Sequence, residues 1–176
     1  LLNTASYNGS FNITKYLIKN GVEYSKMEEE DTSPLLLASQ QGNFDIVKLL
    51  IENGVNINEV DKDGNTSLHY SVENNNKEIF KYLVNYGANL NLKNQIGNTP
   101  LMLAIYNYQL DLAKDLINSG ADLNIKNEDG WNALMIASSD YTFLPIGEEI
   151  LGKYSNLEEK TYDGESALMI ASTNES

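Results

Sequence analysis

Gly97-Asn98-Thr99-Pro100-Leu101-Met102-Leu103-Ala104 decides the fold, because the same phrase returns along the chain at a fixed distance. It recurs as Gly64-Asn65-Thr66-Ser67-Leu68-His69-Tyr70-Ser71, as Gly130-Trp131-Asn132-Ala133-Leu134-Met135-Ile136-Ala137, and as Gly164-Glu165-Ser166-Ala167-Leu168-Met169-Ile170-Ala171. An earlier copy starts at Asp31-Thr32-Ser33-Pro34-Leu35. Gly64, Gly97 and Gly130 are 33 residues apart, and Gly164 follows after 34. A period in this range marks a stack of like structural units. Such a stack offers a long surface, whereas catalysis usually needs a pocket.

Each unit reads as two short helices and a turn. Ser33 before Pro34, and Thr99 before Pro100, place a hydroxyl at the N-cap, where it accepts a bond from an orphan N–H. Proline at the first helical position costs nothing, since its missing N–H has no partner there. After a break at Gln41-Gly42, Phe44, Ile46, Val47, Leu49 and Leu50 recur at the spacing of an amphipathic helix. The second helices stop at Gly21, Gly54, Gly87 and Gly120, the usual residue just past a helix end. The pattern predicts helix pairs over 34–52, 67–85 and 100–118, broken near Gly42, Asn75 and Tyr108. Turns are expected at Asp61–Asn65, Asn94–Asn98 and Asn127–Trp131, in polar Asn/Asp/Gly stretches. Leu50, Leu83 and Leu116 are equivalent core positions.

The Gly-x-Thr-Pro-Leu-x-x-Ala phrase (Gly97–Ala104), the Ile46-Val47-x-Leu49-Leu50 helix and the Gly120-Ala121-Asp122-x-Asn124 tail resemble ankyrin repeats. The resemblance covers nearly the whole chain. It implies an all-α ankyrin-repeat solenoid of helix–turn–helix units with projecting β-hairpin-like loops, a single array over 1–176. Its units would be 1–30 (partial), 31–63, 64–96, 97–129, 130–163 (degenerate) and 164–176 (partial). It implies a non-enzymatic scaffold that binds a protein partner through hairpin tips and the first helices along a concave side. The alternative is a targeting or regulatory segment of a larger enzyme or effector; the chain opens at Leu1 and closes inside repeats, so a longer native protein is an open expectation.

Two departures stand out. The unit from Gly130 has one extra residue, lacks the helix-stop glycine and puts Pro145 near the start of its second helix, so a distorted helix or a longer preceding loop is expected. Tyr108 occupies the turn position where Gly42 stands in an earlier unit.

Hydrophobic residues make up 41% of the chain, adequate for the thin continuous core of a repeat stack. No stretch approaches the roughly 18 apolar residues of a membrane span, so a soluble chain is expected, with the cytoplasm slightly favoured. Without cysteine, disulfides and thiolate metal sites are excluded. The net charge of −13 and the lack of arginine argue against binding nucleic-acid phosphates. They fit a basic protein partner, although the plainer reading is a solvated acidic surface. Asn8, Asn12, Asn65 and Asn174 open Asn-x-Ser/Thr acceptors, which an asparagine-rich chain produces by accident, and no glycan is assigned.

Candidates for chemistry are few. Asp61-Lys62-Asp63-Gly64-Asn65 imitates a calcium loop, but Thr66 and Val72 stand where glycine and glutamate are required. Glu28-Glu29-Glu30-Asp31 reads as a solvated tip or a contact for a basic partner. His69 is the only histidine, too little for a zinc site; the repeat resemblance gives it a local bond to Thr66. No cofactor or metal is expected. Trp131 follows Gly130 on a projecting turn, either as a binding anchor or as a ring packed on the adjoining hairpin. Ile96 and Tyr106 are expected on the same face, forming an apolar patch rimmed by Asn98, Glu128 and Asp129.

Overall fold

Each apolar phrase becomes a helix because the polar residue before it caps the first turn. The Ser33 hydroxyl accepts from the Leu36 N–H (3.2 Å), that of Thr66 from His69 (3.3 Å) and that of Thr99 from Met102 (3.4 Å). In the fourth copy the amide oxygen of Asn132 accepts from Met135 (3.0 Å). The computed structural model describes residues 1–22, 32–153 and 156–173; the run Glu28–Asp31 and the Asn174 acceptor lie outside them. In chain order the helices are α1 (Leu2–Tyr7), α2 (Phe11–Lys19), α3 (Pro34–Gln41), α4 (Phe44–Glu52), α5 (Ser67–Glu73) and α6 (Lys77–Asn85). They continue as α7 (Pro100–Tyr106), α8 (Leu110–Asn118), α9 (Ala133–Ala137), α10 (Leu144–Leu151) and α11 (Ala167–Thr173).

The predicted pairs and breaks are present. Between paired helices the backbone turns left-handed at Gly42 (φ 75°), Asn75 (φ 51°) and Tyr108 (φ 57°). Tyrosine is a costly choice there, and its surroundings hold it: the ring lies 4.7 Å from that of Phe143, and its hydroxyl donates to Asp140 Oδ2 at 3.2 Å. The second helices end as anticipated. At α4, Gly54 takes φ +86°, its N–H reaches the Ile51 carbonyl (3.0 Å), and Val55 N–H reaches back to Leu50 (3.2 Å).

By its contacts the chain divides into two compact units, Leu1–Asn89 and Leu90–Ser176. In the first, α3 packs on α1, α4 and α5, and α4 on α2 and α6, around fully buried Leu35, Ile46, Leu50 and Leu83. In the second, α7 packs on α8 and α9, and α10 on α8 and α9, around Leu101, Leu112, Leu116 and Ile150. Tail asparagines link successive repeats in each: Asn58 Oδ1 accepts the Asn89 N–H (2.8 Å) and Asn91 Oδ1 the Asp122 N–H (2.9 Å), both across 31 residues.

The loops expected as β-hairpin-like are tight turns. Asp61 N–H bonds to the Asn65 carbonyl (3.1 Å), Asn94 to Asn98 (3.0 Å), Asn127 to Trp131 (2.9 Å) and Thr161 to Glu165 (2.9 Å). Among the described residues they form no strand, and one antiparallel bridge joins Lys160 and Ser166. In the divergent unit the extra length goes into the loop. α9 has only 5 residues, a 3₁₀ turn follows at Tyr141–Phe143, and Pro145 sits in the first turn of a regular α10. His69 is buried and closes a capping box, its Nδ1 accepting the Thr66 N–H at 3.2 Å.

Candidate protein-binding surface

The candidate residues gather on two successive turns of the 90–176 unit and, for Tyr106, at the end of α7 between them. Each turn is braced by its own first side chain. Asn94 Oδ1 accepts the Asn98 N–H (3.0 Å), and Asn127 Oδ1 accepts those of Asp129 (3.1 Å) and Trp131 (2.9 Å). Thr161 does the same for Glu165 through its hydroxyl (3.2 Å). These are Asx-type bonds, which short polar side chains make readily.

The turns also bond to one another. Glu128 N–H donates to the Ile96 carbonyl (3.2 Å), and the Asn127 amide nitrogen to Asn98 Oδ1 (3.2 Å). Glycine makes this approach possible. A Cβ on Gly97 would lie 2.5 Å from Glu128 N and 2.7 Å from Asn127 Cα, and one on Gly130 would lie 2.7 Å from Tyr162 N. Lys126 adds a tie to the next turn, donating to the Lys160 carbonyl (2.9 Å) and pairing with Glu159 (3.3 Å).

Ile96 and Tyr106 are exposed, and Trp131 is half-buried. Tyr106 is drawn to the middle turn: its side chain is hydrogen-bonded to Asn127. Partial burial, and then the negative charge of Asp129, push its phenol above the ordinary tyrosine range, against the opposing effect of the Asn127 bond. Glu128 and Asp129 are exposed, and Glu128 faces Lys93 at 3.5 Å in an ion pair open to solvent, worth little to stability. Asn98 departs from expectation. It was placed on an exposed rim, yet it is buried, because its amide oxygen is taken up by Asn127 across 29 residues. It braces the surface from beneath.

Sequence reasoning passed over Asn127, the best-connected residue of the surface. A signal existed: Asp61, Asn94 and Asn127 recur every 33 residues at the head of each turn. Lys93, which offsets Glu128, was marked in the same way, since Lys126 and Lys160 stand just before the two later turns. Among the described residues no group of three or more His, Cys, Asp or Glu is placed to hold a metal ion. No described helix is long and apolar enough to cross a membrane.

The arrangement is a row of side-chain-braced turns, closely approached at Gly97 and Gly130, that display side chains to solvent. A family model described as ankyrin repeats (3 copies) matches residues 2–94, 81–160 and 101–176. No curated protein matches the chain. With capped helix pairs, left-handed helix stops and stacked turns at a 33-residue period, and with family matches spanning nearly its whole length, the chain belongs to the ankyrin-repeat family.

Proposed function

We propose that this chain is a non-catalytic binding module that takes a basic protein partner on the turn tips and first-helix surface of residues 94–131. Ankyrin repeats are generally protein–protein interaction modules, and the reading rests on one observation above all. Ile96 and Trp131 stand on turns already fixed by backbone and amide bonds, and Tyr106, at the end of α7, is bonded to Asn127 of the second turn. A partner therefore meets side chains whose supporting backbone needs little further ordering, and preorganisation of this kind favours affinity. Trp131 and Tyr106 are the anchors, aromatic residues being enriched among interface hot spots. Glu128 and Asp129 steer the encounter, and Asn98 holds the turn in place.

The test uses one variant and two readouts. A protein captured on the wild-type chain from the source organism is titrated against wild type and Trp131→Ala, and both chains are melted. An anchoring role predicts a loss of about 2 kcal/mol or more in binding with melting largely unchanged. A lowered melting temperature with an unaltered dissociation constant assigns the ring to packing and removes Trp131 from the surface.

A further inference from the structure

Turn tips repeat by position, so each can be compared with its neighbours. The second place of the tip holds Gln95, then Glu128, then Tyr162, and the third holds Ile96, then Asp129, then Asp163. The second place faces solvent in all three turns, and Gln95 and Glu128 do so although another turn follows each of them. Exposure there is a property of the tip. Tyr162 is 74% exposed, an aromatic ring where the two earlier turns carry polar side chains.

The inner side of that ring is held. A Cβ on Gly130 would lie 2.7 Å from Tyr162 N, 2.9 Å from its Cγ and 3.0 Å from its Cδ1, so the ring lies against the glycine that immediately precedes Trp131. The turn beneath it is closed by bonds from Thr161 N–H to the Glu165 carbonyl (2.9 Å) and from Gly164 N–H to the Thr161 carbonyl (3.0 Å). Lys126 ties its base to the preceding turn through the Lys160 carbonyl and Glu159. Trp131 and Tyr162 thus stand on adjacent turns, with Tyr106 bonded to Asn127 of the first.

Two carboxylates accompany these rings. Asp129 and Asp163 are exposed, and among the described residues neither is ion-paired, whereas Glu128 has Lys93 and Glu159 has Lys126. Aromatic faces attract cations through the ring quadrupole, and free carboxylates add charge. Of the two common cations the guanidinium fits better. It is planar, stacks on a ring and offers a fork of N–H groups to a carboxylate, while an ammonium is a strongly hydrated point charge. The chain has no arginine of its own.

We propose that Tyr162 is a further anchor of the surface formed by Ile96, Tyr106 and Trp131, and that the partner presents arginine to it. The guanidinium packs on Tyr162 beside Trp131, and the carboxylates of Asp129 and Asp163 meet its charge. This rests on the binding reading above and names the basic group that the partner carries.

The test titrates the full 176-residue chain with a short capped Gly/Ser peptide bearing two arginines, and with its lysine and neutral citrulline counterparts. Binding is read from the Trp131 indole signal and the ring signals of Tyr162. Arginine is expected to bind more tightly than lysine, and citrulline least. Tyr162→Leu keeps apolar bulk against Gly130 without a π-face, and should weaken the arginine peptide about two- to fivefold, the weight of one exposed cation–π contact. Tyr162→Phe should restore it. Asp163→Asn should weaken it and reduce its salt dependence, and each variant is first checked for a wild-type melt. If Tyr162→Leu fails that check, Asp163→Asn and the peptide ranking decide. No movement of the indole signal at about 5 mM peptide, where even a millimolar affinity is visible, overturns the proposal. Lysine or citrulline binding as tightly as arginine overturns it too, as does full affinity in Tyr162→Leu. The captured partner separates the two readings. Binding that needs Trp131 but ignores both Tyr162→Leu and competing arginine peptide defeats this inference alone, whereas binding that also ignores Trp131→Ala defeats the surface itself.

Discussion

Replacing Gly97 with alanine separates the strain of a single turn from the contact between turns. Gly97 has φ +77° and Gly120 has φ +91°, so alanine is forced into the left-handed region at both. That conformation costs about 1–2 kcal/mol for an L-residue. At Gly120 nothing lies within 4 Å of the added Cβ, so Gly120→Ala should cost that much and little else. At Gly97 the Cβ meets backbone atoms of Asn127 and Glu128 at 2.5–2.8 Å. Backbone cannot rotate away as a side-chain end does, so the 127–131 turn must move, at an overpacking cost of about 1–3 kcal/mol more. The bond from Glu128 N–H to the Ile96 carbonyl should lengthen with it. Urea unfolding of both variants gives the difference directly, and amide spectra localise it to Asn127, Glu128 and the Trp131 indole. Equal losses from Gly97→Ala and Gly120→Ala, with the 127–131 signals unmoved, would refute the stacked-turn account.

Further expectations follow from the core and the titrating groups. Leu83 is fully buried, so Leu83→Ala should cost about 2–5 kcal/mol. Chemical denaturation should rank it above Ile150→Ala, whose helix itself leaves Leu144 and Leu151 exposed; equal losses contradict the ranking. Burial pushes the Glu59 carboxyl above its ordinary value, partly opposed by its bond from Ser33. The folded state thus holds this proton more tightly than the unfolded chain, and its stability contribution, complete at low pH, is lost as pH rises through the raised value. Glu59→Gln, which can still accept from Ser33, should flatten that fall in melting temperatures scanned from acid to neutral pH. Asp129→Asn should lower the titration midpoint of Tyr106 only in part, because burial is the larger cause; selectively labelled tyrosine spectra would show it, and an unchanged midpoint would place the Asp129 charge elsewhere.

The elements legible in the sequence are those fixed by neighbours a few residues away. Ser33, Thr66 and Thr99 cap their own helices, Gly54 stops its own, and period and cap together locate the three helix pairs over 34–52, 67–85 and 100–118. Asn98 shows the limit. In the phrase it looks like a solvent-facing polar residue, and its burial comes from an amide 29 residues on. No local pattern encodes that partner. Trp131 has a similar difficulty, since nothing in the phrase distinguishes a half-buried ring from an exposed one. The unit with Pro145 was readable as irregular, but the 3₁₀ turn and the ring of Tyr108 on Phe143 needed coordinates.

The rungs from Asn58 to Asn89 and from Asn91 to Asp122 behave as a ruler. Each ties a side chain to a backbone N–H 31 residues away, so each holds only if the intervening chain has its set length or stores any surplus off the measured path. A one-residue insertion within 92–121 would offer the wrong amide to Asn91 unless a loop bulged to absorb it. The extra residue of the unit from Gly130 is stored in this way, in the segment around Tyr141–Phe143 that leads into α10. For grafting or deletion in this chain, that segment is the place where length can change, while the stretches between paired asparagines must keep their count.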